Sequence, residues 1–304
     1  MAFSKKVIRL VFTLGGNSPS GSSATFGGTS ANQVTIDGLR VSCKIAKAAS
    51  PSLNRCELQI FGLLPNVYNA LASMYNVTQQ VTQNTVQVFA GDSTASLSKV
   101  FEGQITLCQV DLNQQPDCLT TVIAQSAYLQ RITPINPTVY PVAFDLAGAM
   151  QTLAGQMGLQ FENNGVQITL PAMTLTGTGM QQVQQLQQAS TVGGEKVVAN
   201  VDDDTLVICP PGGNRTANVK PIPISAQTGM IGYPAFGTHG IAVRSLYNPA
   251  VKWQSQIQLT SSLKVMNLNG LWTVFGVTHT LESEMPEGKW ETQIEAANFM
   301  AIGS

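Results

Sequence analysis

The chain has 304 residues, a formal net charge of −1 and a charged fraction of 11%, where a soluble protein usually carries about 25%. No Lys/Arg run longer than Lys5-Lys6 is present, which argues against a polybasic patch that would hold nucleic acid from outside. No apolar run approaches the ~18 residues of a membrane-crossing helix, and the length allows two modest domains or one large one.

Lys5 and Lys6 precede an apolar run, but Arg9 interrupts it, and the alternation over Val7–Leu14 predicts a strand instead of a secretory leader. The Gly/Ser-rich stretch Gly15–Ser30 is expected to be a long mobile loop with almost no apolar burial. Gln33–Ile36, Val41–Ala46 and Cys56–Phe61 read as short strands, with Val41, Cys43 and Ile45 on one face. Val67, Leu71 and Met74 sit at helical spacing in Leu63–Tyr75, which is predicted to plug one end of a barrel. Thr85–Ala90, Val100–Leu107 and Leu119–Ala127 then form an antiparallel meander. Pro134, Pro137 and Pro141 remove donors and stop both helix and central strand, so a domain boundary belongs there.

Leu146, Met150, Leu153 and Met157 make a helical stripe in Phe144–Met157, with Gly158 placed to end it. Val166–Leu170 reads as a strand, and Met180, Val183 and Leu186 mark a second helix with a glutamine face. Lys196–Val201 and Thr205–Cys209 form a hairpin around Asp202, Asp203 and Asp204. Past the Pro/Gly connection Pro210–Pro223, strands are predicted at Ile222–Ile231, Ala242–Leu246, Ile257–Leu259, Trp272–Leu281 and Trp290–Ala297. Val86 to Ile257, Phe101 to Trp272 and Ile123 to Ile294 each span 171 residues, which reads as two copies of one β unit.

The expected fold is therefore mainly β with an α+β insertion: a first tube-like β-barrel over residues 1–132, an α+β segment over 133–218 and a second barrel over 219–304. A surface this poor in charge fits coverage by other subunits, because interface cores are depleted of Lys, Glu and Asp. A neutral secreted β-protein is the plainer alternative.

No catalytic constellation is present: GxSxG, HExxH, P-loop and GxGxxG are all missing, and His239 and His279 are the only imidazoles. His279 lies in a strand and is expected to be a packed side chain. The run Asp202–Asp204 lacks the Gly and Glu of a calcium loop and is expected to be a solvated turn. Glu282, Glu284 and Glu287 suggest a sugar-cleaving carboxylate pair, but they flank a turn and no further domain supplies a cleft. Five cysteines without CxxC or nearby His are expected to stay reduced, and Cys108 and Cys118, which flank one turn and could face each other, would stay as thiols in a reducing compartment.

The segments VQVFAG (86–91), VFEGQIT (100–106) and TTVIAQS (120–126), with NLNGLWTVFGVTHTLES (267–283) and KWETQIEA (289–296), resemble the baseplate hub proteins of contractile-tailed bacteriophages. That group includes the late control protein D-like family and the hub part of type VI secretion spikes. VANVDDDTLVICPPGG (198–213) resembles the hairpin ahead of the family's last barrel, whereas Gly15–Ser30 has no family role to match. The resemblance implies a non-enzymatic structural protein with no catalytic, cofactor or metal residues. It also implies a homotrimer with pseudo-sixfold symmetry, a symmetry adaptor joining the sixfold tail tube to the threefold central spike beside other baseplate proteins. Such a protein belongs to the virion, is assembled in the host cytoplasm and lines the channel of genome ejection, with DNA passing through the lumen without specific binding. Gln87, Thr106 and Gln125 in the first copy and Gln258, Thr278 and Gln293 in the second are candidates for the lumenal face. The alternatives are a tail-associated glycan- or receptor-binding β-module and, behind it, a peptidoglycan hydrolase.

Overall fold

The protein is mainly β, with a large antiparallel sheet. The computed structural model describes residues 4–15, 25–26, 31–48, 53–72, 83–113, 118–215, 220–237, 239–262 and 268–298.

One unit lies within Met1–Ala46, Arg55–Ser126 and His279–Glu291. Its first elements are β1 (Lys6–Thr13), β2 (Gln33–Ile36), β3 (Val41–Ala48) and β4 (Arg55–Phe61), then α1 (Pro65–Leu71), β5 (Thr85–Asp92), β6 (Ser98–Asp111) and β7 (Leu119–Gln125). The strands are hydrogen-bonded in the order β3-β4-β7-β6-β5-β1-β2, all antiparallel. Alternation dictates this arrangement. Ile8, Leu10 and Phe12 of β1, Val41, Cys43 and Ile45 of β3, and Cys56, Leu58 and Ile60 of β4 are all buried, and their neighbours face the other way. A one-residue slip would turn each set to solvent.

The path ends at β2 without returning on itself, so the described strands form an open sheet. The helix expected over Leu63–Tyr75 is shorter, starting on Pro65 and burying Val67 and Leu71; Met74 lies outside the described residues. Of Gly15–Ser30, residues 16–24 and 27–30 also lie outside them. The expectation that this stretch buries almost nothing apolar is corrected at Phe26, which is buried with its N–H bonded to the Ala31 carbonyl.

The other unit lies within Lys47–Asn54, Ala127–Thr278 and Thr292–Ser304. It begins with α2 (Tyr128–Ile132), β8 (Thr138–Tyr140), β9 (Phe144–Asp145) and α3 (Leu146–Gln156). Next come β10 (Gln160–Asn163), β11 (Thr169–Leu170), β12 (Met173–Leu175), α4 (Gly179–Val192), β13 (Val198–Asp202) and β14 (Thr205–Cys209). The Asp145 side chain caps α3 by accepting the Gly148 N–H at 2.7 Å, and Gly158, at φ 69°, stands just past its end. Thr178 and Gln181 form a reciprocal capping box at the start of α4. Leu146, Met150 and Leu153 of α3 meet Met180, Val183 and Leu186 of α4 in one core with Leu206 and Ile208 of β14, as the helical stripes predict. The strand expected over Val166–Leu170 narrows to β11, because the Asn163 amide takes both the N–H and the carbonyl of Val166.

The chain closes with β15 (Ile222–Ile224), β16 (Met230–Gly237), β17 (Gly240–Leu246), β18 (Gln256–Leu259), β19 (Gly270–Ser283) and β20 (Trp290–Ala297). The single strand expected over Ile222–Ile231 is split. Ser225 and Thr228 bond each other reciprocally after β15, and Gly229 turns the chain at φ 96°. The strand order is β16-β17-β20-β19, with β18 antiparallel to β19 and parallel to β15.

In both β5-β6-β7 and β18-β19-β20 the middle strand neighbours the other two, but the register differs. Ile257 opposes Trp272, whereas Val86 opposes Gly103 and it is Val88 that opposes Phe101. The difference is two residues, so Val86 and Ile257 are both buried, as a period-two pattern requires.

Cys108 opposes Val122, and Leu119 opposes Asp111, which corrects the expected facing of Cys108 and Cys118. The neighbouring thiols are instead Cys43 and Cys56, with sulfurs 3.9 Å apart. They stand diagonally, Cys43 opposite Leu58 and Cys56 opposite Ile45. Diagonal Cα atoms lie ~7–8 Å apart, beyond ordinary disulfide reach, so the pair packs as two thiols.

Candidate functional site

Asp202 ends β13 opposite Thr205, leaving Asp203 and Asp204 as a two-residue turn. The sequence predicts a solvated turn for all three, and the structure corrects this at Asp202, which is only 3% exposed. Lys47 Nζ donates to its Oδ1 at 2.7 Å, and Arg215 Nη1 donates to its Oδ2. Lys47, itself 5% exposed, also reaches both Asp203 oxygens at 3.1 Å. Arg215 Nε bonds Glu162 at 2.9 and 3.0 Å.

Burial disfavours the charges of Lys47, Asp202 and Arg215, yet pairing wins. Desolvation is outweighed by Asp202 and Asp203 at Lys47, whose ammonium is held above its ordinary value. At Asp202 it is outweighed by Lys47 and Arg215, which hold the carboxyl well below the usual range. The remaining two acids have separate jobs. Asp203 adopts φ 58°, which Asp tolerates better than most residues, and the Asp204 carbonyl accepts the Gln160 N–H at 2.9 Å.

Two amides complete the cluster: Asn54 Nδ2 donates to the Val201 carbonyl at 3.0 Å, and Asn200 Nδ2 donates to the Ala48 carbonyl at 2.7 Å. The arrangement is a clasp holding residues 47–54 on the β13–β14 hairpin. Both Asp202 oxygens are occupied by cations, and among the described residues no group of three or more His, Cys, Asp or Glu is placed to hold a metal. The acidic run was visible in sequence, but its partners were not, since Lys47 lies 155 residues away from Asp202.

Gln87, Thr106 and Gln125 are partly exposed on the face of their unit's sheet opposite Val86, Val88, Val122 and Ala124. Gln87 opposes Glu102, and Gln125 opposes both Gln104 and Arg55. Thr106 sits at a β6 bulge, and its hydroxyl donates to the Ile123 carbonyl at 3.1 Å. Gln258, Thr278 and Gln293 alternate with the buried Ile257 and Leu259, Val277 and His279, and Thr292 and Ile294. All six positions therefore lie away from the core.

The three glutamates have structural engagements in their turn. Glu282 Oε2 accepts the Lys289 N–H at 2.8 Å, Glu284 pairs with Lys5 at 2.5 Å, and Glu284 and Glu287 both adopt φ 55°. A surface cleft of about 400 Å³ beside them is lined by Lys5, Lys6, Glu282, Glu284, Met285 and Pro286, with no aromatic platform for a sugar ring. His279 is buried in β19. His239 is exposed near the β16–β17 turn, edge-on to Phe275 with ring centroids 6.4 Å apart.

One exposed feature was missed in the sequence, where aromatics on strands read as core. Tyr233, Phe236 and Leu246 of the β16–β17 ribbon are 63%, 64% and 59% exposed. The outer edge of β16 is irregular, with Gly232 at φ 74° and a register break between Ile231 and Ala235 that contains Pro234. Such devices discourage indiscriminate strand pairing.

The profile of a protein family described as "Baseplate hub gp41" matches residues 7–287. Among solved structures, the chain is similar to a tail protein from Neisseria meningitidis MC58, with a TM-score of 0.61 at 9% identity over 97% of each chain. It is also similar to the 43 kDa tail protein of prophage MuSo2 from Shewanella oneidensis, with a TM-score of 0.59 at 9% identity over 96% of this chain and 98% of that one. A third similarity is to an E. coli type VI secretion component described as resembling the T4 bacteriophage tail proteins gp27 and gp5. Its TM-score is 0.56 at 10% identity over 86% of this chain and 74% of that one. No curated protein matches the sequence. At these identities the structural similarities establish the fold.

Proposed function

The chain belongs to the baseplate hub gp41 family, and from that premise we propose that it is a trimeric, pseudo-sixfold adaptor joining the sixfold tail tube to the threefold central spike. In this reading its two β units are duplicated tube-like barrel modules, over residues 1–132 and 219–304, separated by the α+β segment 133–218. Three chains present six modules to the tube, the modules close around the ejection channel, and the protein does no catalysis. The observation that carries the reading is the family match over residues 7–287. The recurrence of one strand order in β5-β6-β7 and β18-β19-β20 supports the duplication, and the shift of two residues is what insertion and bulging within one copy would leave. Gln87, Thr106, Gln125, Gln258, Thr278 and Gln293 are assigned to the lumenal side.

The test is electron cryomicroscopy of the tail tip with a labelled copy of this chain. Density where tube meets spike is the expected result, and label confined to fibres or to the outside of the tail would overturn the reading. Exposure of Tyr233 and Phe236 favours a second reading, a glycan-binding β-module, because stacked sugars need exposed aromatics. Retention on immobilised host glycans, abolished by replacing those two residues, is what that reading requires.

A further inference from the structure

The coreless face of the first unit's sheet carries four cations, Arg9, Lys44, Arg55 and Lys99, which would be an unpromising lining for a channel that carries DNA. Three of them pair with a nearby acid. Arg9 Nε bonds both Asp37 oxygens, at 2.9 and 3.2 Å. Lys99 Nζ bonds Glu102 at 2.8 Å. Arg55 pairs with Glu57 at 2.8 Å, and Glu57 stands directly across from Lys44. The ladder keeps these groups on one face: Arg9 opposes Phe89, which opposes Lys99, while Arg55 opposes Gln125 on β7. Exposed pairs of this kind add little to stability. Three of them on one face therefore ask for another explanation.

We propose that this face is a masked-cation surface fitted to a moving polyanion, in which Asp37, Glu57 and Glu102 withhold the basic side chains from the phosphates of duplex DNA. A bare cation binds phosphate by releasing a condensed counterion, and every such contact steepens the salt dependence of binding. A cation already satisfied by a carboxylate two or three ångströms away must break that pair first, so DNA slides past without being held. The amides of Gln87, Gln104 and Gln125 lie on the same face, while Phe89 stands between Arg9 and Lys99. The inference rests on the channel reading above for its biological setting, while the masking itself is a property of the isolated chain.

The experiment replaces the acids and leaves the cations: the triple variant Asp37→Asn, Glu57→Gln and Glu102→Gln, with binding to a short DNA duplex followed by fluorescence anisotropy across salt concentrations. At about 50 mM salt the variant should bind at least about tenfold tighter than the parent protein, and its log–log salt slope should steepen by up to about 3, near 0.9 per unmasked cation. Adding Arg9→Gln, Arg55→Gln and Lys99→Gln should return binding to the parent level. A triple variant with the parent's circular dichroism that binds DNA no better overturns the proposal. If the triple variant does not fold, the single variants Asp37→Asn and Glu102→Gln should each steepen the slope by about 1, and unchanged slopes in both overturn it equally. Particles carrying the triple variant should eject their genomes slowly at low salt. Normal ejection by particles whose purified variant protein does bind DNA would overturn the channel placement and leave the masking intact.

Discussion

Asp202 shows how one side chain changes meaning between sequence and structure. As one of three consecutive acids it reads as turn surface; in the fold it is a buried anion between Lys47 and Arg215. Removing one member of a buried pair leaves an uncompensated charge and typically costs 3–5 kcal/mol. Asp202→Asn should fall near the lower end, about 3 kcal/mol at pH 7, because Lys47 keeps Asp203 and Arg215 keeps Glu162. The pH dependence follows from the two shifts. The Asp202 pKa is depressed on folding, so its contribution is present above the unfolded value, about 3.9, and is lost as pH falls through the folded one. The Lys47 pKa is raised, so its contribution is present below about 10.4 and is lost only as pH climbs through the folded value. Urea unfolding of parent and variant should therefore show a constant deficit between about pH 5 and 9 that shrinks in strong acid. A deficit below about 1 kcal/mol at pH 7 would contradict the clasp.

At the scale of elements, the strands and the two long helices were legible because burial follows periods of 2 and 3.6, as in Ile8, Leu10 and Phe12 or Leu146, Met150 and Leu153. What periodicity does not encode is register and interruption. The two-residue difference between the meanders leaves every side chain on its expected face, so a pattern of faces cannot reveal it. The break after Ile224 depends on a Ser225–Thr228 side-chain exchange inside a run that otherwise looks like strand. The glycine of VFEGQIT has a structural reason the motif alone did not supply. A Cβ on Gly103 would lie 2.7 Å from the Gln125 carbonyl group and 2.7 Å from the Phe101 ring, so β6 would have to move off β7. Gly103→Ala should cost about 1–3 kcal/mol. Gly155→Ala, in α3 with nothing within 4 Å of the added atom, should instead stabilise by about 0.5–1 kcal/mol. Chemical denaturation of the two variants side by side checks both signs, and a tolerated Gly103→Ala would mean that the close approach of β6 and β7 is not what requires glycine.

For the whole molecule, the family was legible because short motifs recur in the right order along nearly the full chain, while no single one is distinctive. The clasp was not legible because Lys47 meets Asp202 from 155 residues away; the exposure of Tyr233 and Phe236 was not, because alternation on an edge ribbon does not say which face is covered. A charged fraction of 11% and apolar side chains left exposed on the β16–β17 ribbon are what a protein completed by neighbouring subunits would show. A heterologous contact between identical chains that closes into a ring would cover such surfaces. The most direct test of the adaptor account is the native mass of the assembly released from tails. The account predicts a species of three 32.3 kDa protomers, alone or with its spike; a chain that leaves the virion only as a monomer would contradict it.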